Sequence, residues 1–260
     1  MIRAILSDIH GNLAAFQSVL KDLESQNVDK VYCLGDIIGY GPDPRECLGL
    51  AMDFPINLLG NHEEAVLMGA VGFNPKAKAA IDWTRDQLNL ESQPLEVNRD
   101  LWNFLGRLKR RHVEDDFLFV HGSPRDPTRE YIFNQDWQDE RKMEEVFAAP
   151  EDVDWKVCFT GHTHYPGVFS QANGQYPYRF HEPASFQSEF PYAEETNKII
   201  VNVGSVGQPR DGDYRASYVI LDDTKIYFKR LDYDVQKTVE RFKQCPDLPE
   251  YLARRLEEGK

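Results

Sequence analysis

Five short apolar runs in this chain end in the same way. Ala4-Ile5-Leu6 leads into Ser7-Asp8-Ile9-His10-Gly11-Asn12, and Val31 to Leu34 into Gly35-Asp36. Ile56 to Leu59 leads into Gly60-Asn61-His62-Glu63, Phe117 to Val120 into His121-Gly122, and Lys156 to Phe159 into Gly161-His162-Thr163-His164. Each run has the length and composition of a buried strand. Each delivers Asp, Asn or His beside a glycine at its C-terminal end. In an open α/β sheet ligands bind at that edge, so the pattern constrains both the fold and the position of the site. Carboxylates, an amide oxygen and imidazoles, with no thiolate among them, suit Mn, Fe or Zn ions. The neighbouring glycines allow sharp turns and a close backbone approach.

The elements between these runs fit the same picture. Leu13, Phe16, Val19, Leu20 and Leu23 have helical spacing within Asn12–Glu24, and Pro44 to Met52 reads as a short helix. Strand, helix, strand, helix, strand at short intervals implies parallel βαβ units. The middle is more helical: Pro75 suits the first position of a helix through Leu88, and Asp100 to Leu108 and Gln138 to Ala148 read as two more. The last part turns to strands at Gly167 to Ser170, Tyr176 to His181, Lys198 to Val203, Ser217 to Leu221 and Lys225 to Leu231, with turns at Ala172-Asn173-Gly174 and Asp222-Asp223. Helices at Val235 to Lys243 and Pro249 to Glu257 close the chain. The polar stretch 182–196, with Pro183 and Pro191, reads as a surface loop or insertion in a single domain spanning residues 1–260.

Composition narrows the partners. The formal net charge of −13 opposes long nucleic acid. The basic run Lys109-Arg110-Arg111 is followed at once by Glu114, Asp115 and Asp116 and reads as a solvated helix end. No run of about 18 apolar residues suggests a membrane span, and Met1 to Ser7 lacks the features of a signal peptide; a cytoplasmic protein is expected. Cys33, Cys47, Cys158 and Cys245 are scattered and form no C-x-x-C pair, so reduced thiols are expected.

The ordered set Asp8-Ile9-His10, Gly35-Asp36, Gly60-Asn61-His62-Glu63, His121 and Gly161-His162-Thr163-His164 resembles the calcineurin-like metallophosphoesterase family. The resemblance extends from Ile2 to about Asp213 and looks most like the compact bacterial and archaeal phosphodiesterase-like members. It implies a four-layer α/β/β/α sandwich of two mixed sheets flanked by helices. It also implies two divalent or trivalent metal ions (Mn, Fe or Zn), one held by Asp8, His10 and His164, the second by Asn61, His121 and His162, with Asp36 bridging. A hydroxide between the ions would attack phosphorus in line. His62, left without an ion, is expected to protonate the leaving oxygen. Glu63 either orients it or caps a helix.

The phosphoprotein phosphatase and dinucleoside tetraphosphatase branches carry G-D-x-x-D-R-G, whereas this chain reads Gly35-Asp36-Ile37-Ile38-Gly39-Tyr40-Gly41. The expected substrate is therefore a small phosphomonoester or phosphodiester. Asn12, Tyr40 and Arg210 are candidate substrate contacts. Tyr40 either stacks on a base or packs, and Arg210 either meets phosphate or pairs with Asp211 or Asp213. The rival reading is a catalytically silent metal-binding scaffold of the same fold. Oligomeric state is not written in the sequence.

Overall fold

The computed structural model describes residues 1–172 and 176–260. The expected turn at Ala172-Asn173-Gly174 lies outside the described residues. Two six-stranded mixed sheets form the centre. The first runs β3 (Ile56–Asn57), β2 (Lys30–Cys33), β1 (Arg3–Leu6), β11 (Ala216–Leu221), β12 (Ile226–Leu231) and β9 (Glu189–Phe190). The second runs β4 (Arg111–Glu114), β5 (Phe117–Val120), β6 (Val157–Thr160), β10 (Ile199–Asn202), β7 (Gly167–Gln171) and β8 (Tyr178–His181). Strands β1, β2 and β3 are parallel, as are β5, β6 and β10. The helices are α1 (Leu13–Leu23), α2 (Pro44–Ala51), α3 (Asn61–Met68), α4 (Pro75–Leu88), α5 (Leu95–Leu105), α6 (Glu140–Ala148), α7 (Val235–Lys243) and α8 (Tyr251–Glu258).

Alternation along the strands assigns each side chain to a layer. In β1, Ala4 and Leu6 face α1 and α2, while Ile5 points into the space between the sheets. In β5, Phe119 faces the inter-sheet space, where it stacks on Phe159 at 5.3 Å, while Leu118 and Val120 pack towards Met143 and Val146 of α6. The result is helices, sheet, sheet and helix in four layers. Fully burying one such aliphatic or aromatic side chain contributes roughly 1.5–3 kcal/mol, so both faces of each sheet are strongly specified. No helix among the described residues is long and apolar enough to cross a membrane.

Three segments differ from expectation. Lys109-Arg110-Arg111 is not a helix end: Arg111 opens β4, and Arg110 bonds to Glu64 and Thr128. The segment 182–196 carries the edge strand β9 and two single 3-10 turns, and Phe190 and Tyr192 insert between the sheets. Helix α5 starts earlier than expected, at Leu95, directly after Pro94.

Candidate metal centre

The carboxyl ends of β1, β2 and β3 in one sheet meet those of β5 and β6 in the other, and the seven expected ligands converge there. All but Asn61 are buried. His10 Nε2 lies 3.1 Å from His164 Nε2, 3.7 Å from Asp8 Oδ1 and 3.6 Å from Asp36 Oδ2, and His164 Nε2 lies 3.1 Å from Asp8 Oδ1. On the other side His121 Nε2 lies 3.1 Å from Asn61 Oδ1, 3.0 Å from His162 Nδ1 and 3.4 Å from Asp36 Oδ2. Metal–ligand bonds of about 2.0–2.2 Å place neighbouring donor atoms roughly 3.0–3.6 Å apart, which is the spacing found.

The proton positions sharpen this fit. His10 Nδ1 faces the Ile38 carbonyl at 3.2 Å, and His164 Nδ1 faces the Gln208 carbonyl. A carbonyl oxygen only accepts, so both Nδ1 atoms carry hydrogen and both Nε2 atoms present lone pairs to each other. His162 is arranged the other way round, with Nε2 donating to the Arg129 carbonyl at 3.1 Å and Nδ1 turned to His121. Asp8 Oδ1, fully buried, has no hydrogen-bond donor. Lone pairs and anionic oxygens facing one another in a dry site repel unless a cation lies among them. The donor set therefore suits bound metal, and Asp36 Oδ2 lies near a histidine of each group, 3.6 Å from His10 and 3.4 Å from His121.

The titration behaviour follows from the same crowding. Burial pushes His62 down to about 4 and His162 down to about 3, and it pushes His10 well below the ordinary value. Burial acts the same way on His121, but the Asp36 carboxylate overrides it and raises this histidine to about 9. Burial opposes ionisation of Asp36 too, yet the charged His121 holds it below the carboxylate range.

The backbone supplies the turns in an unexpected manner. Asp8, His10, Asp36, His162 and His164 themselves adopt left-handed conformations, with φ between 49° and 65°. Such strain in non-glycine residues concentrates at functional sites. Several neighbouring glycines serve space instead. A Cβ on Gly60 would sit 2.1 Å from Asp36 Oδ1 and 2.3 Å from its backbone nitrogen, and one on Gly161 would sit 2.4 Å from Asp8 Oδ2.

Supporting contacts hold the ligands in place. Glu63, at the third position of α3, accepts from the backbone nitrogens of Gly60, Asp36 and Ile38 at 3.0, 2.8 and 3.1 Å. It caps the helix and fixes the loop carrying Asp36, and burial raises its own carboxyl to about 7. The segment after β10 sews the sheets together. Val206 and Gly207 donate to the Ser7 and Asp8 carbonyls at 3.0 and 2.9 Å, and Ser205 Oγ donates to the Asp8 carbonyl at 2.8 Å. From the second sheet, the His162 backbone nitrogen donates to Asp8 Oδ2 at 2.9 Å.

The remaining expected residues divide. His62 is buried beside the centre, with Nε2 4.0 Å from Asp36 Oδ2 and Nδ1 without a partner. Tyr40 packs on His62 and His10 at 4.4 and 4.8 Å between ring centres. Arg210 lies over the Tyr40 ring at 6.0 Å and donates to Gln208 Oε1 at 2.9 Å. It does not pair with its acidic neighbours, since Asp211 is taken by Arg230 and Asp213 by Arg215. Asn12 must be withdrawn as a substrate contact. Its Oδ1 caps α1 and accepts from Thr238, and its Nδ2 donates to the Gly207 carbonyl and to Tyr233. Fully buried and fully bonded, it has nothing left to offer a ligand. Sequence reasoning missed Arg129 and Tyr131, which border His162 without any motif of their own.

Comparison with known proteins agrees with this geometry. A metallophosphoesterase from Sphaerobacter thermophilus is similar in structure, with a TM-score of 0.80 and 34% identity over 100% of this chain and 99% of that one. A hypothetical protein from Pyrococcus horikoshii OT3 shares the fold, with a TM-score of 0.76 at 20% identity, covering 100% of this chain and 98% of its own. An uncharacterized protein of Methanocaldococcus jannaschii is 35% identical, covering 97% of this chain and 96% of that protein. Residues 2–181 match the calcineurin-like phosphoesterase family, and with two mixed sheets that bring its aspartate and histidine groups to one edge, the chain belongs to that family.

Proposed function

We propose that this protein hydrolyses a small phosphomonoester or phosphodiester at a centre of two metal ions. One observation carries the reading: two groups of inward-facing donors flank Asp36, and in one of them the Nε2 lone pairs of His10 and His164 are aimed at one another across 3.1 Å. Asp8, His10 and His164 would hold one ion, Asn61, His121 and His162 the other, and Asp36 both. When bound, the ions supply charge neutralisation at the phosphoryl oxygens and activation of the attacking water; Mn, Fe and Zn all suit these donors.

The protein's own groups do the rest. Arg210, without a carboxylate partner among the described residues, is free to hold a phosphate oxygen through charge-assisted hydrogen bonds. Burial lowers His62 to about 4. An anionic ester drawn in beside it favours the imidazolium, so protonation is coupled to binding and a proton becomes available for the leaving oxygen. Glu63 keeps the Asp36 loop in place, and burial of the centre excludes bulk water from the charges.

The test is to purify the protein, measure bound metal, and assay p-nitrophenyl phosphate and bis(p-nitrophenyl) phosphate with Mn²⁺ and after chelation. Hydrolysis that requires metal and falls sharply in His62→Asn, with metal content retained, supports the reading. Full metal content with no hydrolysis of either ester would favour a silent scaffold.

A further inference from the structure

Arg210 and Arg255 meet on the Tyr40 side of the centre, and both lie beyond residues 2–181, which carry the family match. Helix α8 buries Leu252, Ala253 and Leu256 against Phe242 and Trp83, and Tyr40 packs against the same cluster. Tyr251 and Arg255, one turn apart, flank that apolar stripe. Gly259 ends the helix at φ 62°, and a Cβ there would lie 2.8 Å from the Asp213 nitrogen. The Gly212 nitrogen donates to the Gly259 carbonyl at 3.0 Å. The end of α8 is thus tied to the loop that carries Arg210. That loop is tied in turn to the centre, since the Arg210 backbone nitrogen donates to the His164 carbonyl at 3.3 Å.

The charges gathered here are of one sign. The Arg210 guanidinium lies over the Tyr40 ring at 6.0 Å, and its Nε is buried without a partner. Arg255 Nε donates to the main-chain oxygen of Lys260 at 2.6 Å, and the guanidinium lies over the Tyr251 ring at 5.5 Å. Lys76 Nζ, from α4, lies over the same ring at 4.1 Å. Asp211 and Asp213 pair with Arg230 and Arg215, and Glu250 and Glu258 with Arg254 and Lys260. Among the described residues no side-chain carboxylate pairs with Arg210, Arg255 or Lys76, although acidic residues outnumber basic ones 43 to 30 in the chain. Burial and then the Arg210 charge draw the Arg255 guanidinium below its ordinary value. Two such charges within reach of one another, with no acid between them, repel, and an anion lying between them relieves that repulsion.

We propose that Arg255 together with Arg210 forms a second anion subsite, and that the substrate is a small phosphoester carrying a further phosphate group on the part that lies towards α8. The inference deepens the phosphoesterase reading and rests on it for the position of the scissile phosphate. A terminal phosphate has three outer oxygens and can accept from two planar guanidinium forks at once, where a carboxylate offers two oxygens to share between them. The net charge of −13 opposes a long polyanion, so the second phosphate belongs to a small molecule. Lys76 at the outer end extends the same positive field to the surface.

Binding can be tested apart from turnover with non-hydrolysable phosphonates titrated calorimetrically into metal-loaded protein. Propylphosphonate carries one anionic group; propane-1,3-diphosphonate and pentane-1,5-diphosphonate carry two, at two spacings. The better diphosphonate should bind at least tenfold more tightly than propylphosphonate. Arg255→Ala should reduce that preference roughly 10- to 100-fold, the worth of a charge-assisted hydrogen bond. Arg255→Gln keeps a donor for the Lys260 oxygen while removing the charge, and it should lose the preference as well. Arg254→Ala removes a neighbouring charge that is already paired with Glu250, and it should leave the preference as it was. Metal content and thermal unfolding are measured for each variant. Equal affinity for the mono- and diphosphonates in the parent protein, an unchanged preference in Arg255→Gln, or an equal loss in Arg254→Ala overturns the subsite. If the preference stands and depends on Arg255, but neither p-nitrophenyl phosphate nor bis(p-nitrophenyl) phosphate is hydrolysed, the subsite is supported and the phosphoesterase reading falls. If both esters are hydrolysed and the preference is absent, the subsite alone falls.

Discussion

Gly60 offers the sharpest test of how the shared carboxylate is held. Its backbone is extended, with φ −82° and ψ 171°, so alanine is conformationally permitted and only space is at issue. The added methyl would lie 2.1 Å from Asp36 Oδ1, 2.3 Å from the Asp36 backbone nitrogen and 2.7 Å from Glu63 Oε2. Carbon atoms ordinarily approach their neighbours no closer than about 3.5 Å, so something must move by about 1 Å. The backbone nitrogen cannot swing aside as a long side chain would, and the displacement falls on Asp36. Overpacking of this kind costs roughly 1–3 kcal/mol, or a fall in Tm of roughly 2–10 °C for a chain of this size. A misplacement of about 1 Å at the centre costs on the order of 100-fold in rate. Gly60→Ala should therefore lose both metal affinity and kcat/KM, with only a moderate loss of stability. Gly49 in α2 is the matched control, since a methyl there meets nothing within 4 Å. Gly49→Ala should gain roughly 0.5–1 kcal/mol. The measurements are thermal unfolding, metal content after dialysis, and hydrolysis of a chromogenic ester. A Gly60→Ala protein that keeps its metals and its rate would refute the placement of Asp36 against this glycine.

Three further outcomes are expected. Arg210→Ala should lower kcat/KM roughly 10- to 100-fold, the worth of a charge-assisted hydrogen bond, without changing metal content; an unchanged kcat/KM would remove Arg210 from the site. Asn12→Ala should cost about 2–4 kcal/mol in urea unfolding, through the lost cap and stranded buried partners, yet leave kcat/KM within about twofold. Metal-free protein should lose stability as pH falls below 6.5. The folded values of His62 and His162, about 4 and about 3, lie below that of the unfolded chain, so the unfolded chain binds protons first and each contributes a loss of roughly 2 kcal/mol by pH 5. Glu63, raised to about 7, takes up its proton in the folded state first and offsets roughly one of these losses, leaving a net loss of roughly 2 kcal/mol. His121, raised to about 9, acts in the opposite sense but only above pH 6.5, where its contribution is lost as pH rises. Urea unfolding that is flat from pH 7 to pH 5 would contradict this.

What the sequence made legible was what local pattern encodes. The apolar runs before Asp8, Asp36, Asn61, His121 and His162 are strands or strand-like ends because their alternation serves two cores at once, and the ligands follow because chemistry is placed where strands stop. Strand β4 was hidden because Arg111, His112 and Glu114 carry no apolar pattern. Its pairing comes from β5 alone, and its charges are met at distance, Glu114 by Arg3 and Arg111 by Asp152. Segment 182–196 looked like surface because Phe190 and Tyr192 insert and Phe186 packs against Phe190 from the edge, three residues at spacings that follow no period. Asn12 misled because its neighbours are candidate ligands, whereas its partners Gly207, Tyr233 and Thr238 lie about two hundred residues away in sequence. Tyr131 and Arg129 belong to the site only through tertiary placement, which no local signal records.

The seam formed by Ser205, Val206 and Gly207 has a mechanical consequence. Each half of the donor set is mounted largely on a different sheet, and this seam works like the locking screw of a caliper, setting the gap between the two jaws. Sliding one sheet past the other would break three buried hydrogen bonds to Ser7 and Asp8 at once. Adjustment to ligands of different size is therefore left to the rim, the 69–74 connection and the segment carrying Arg129 and Tyr131.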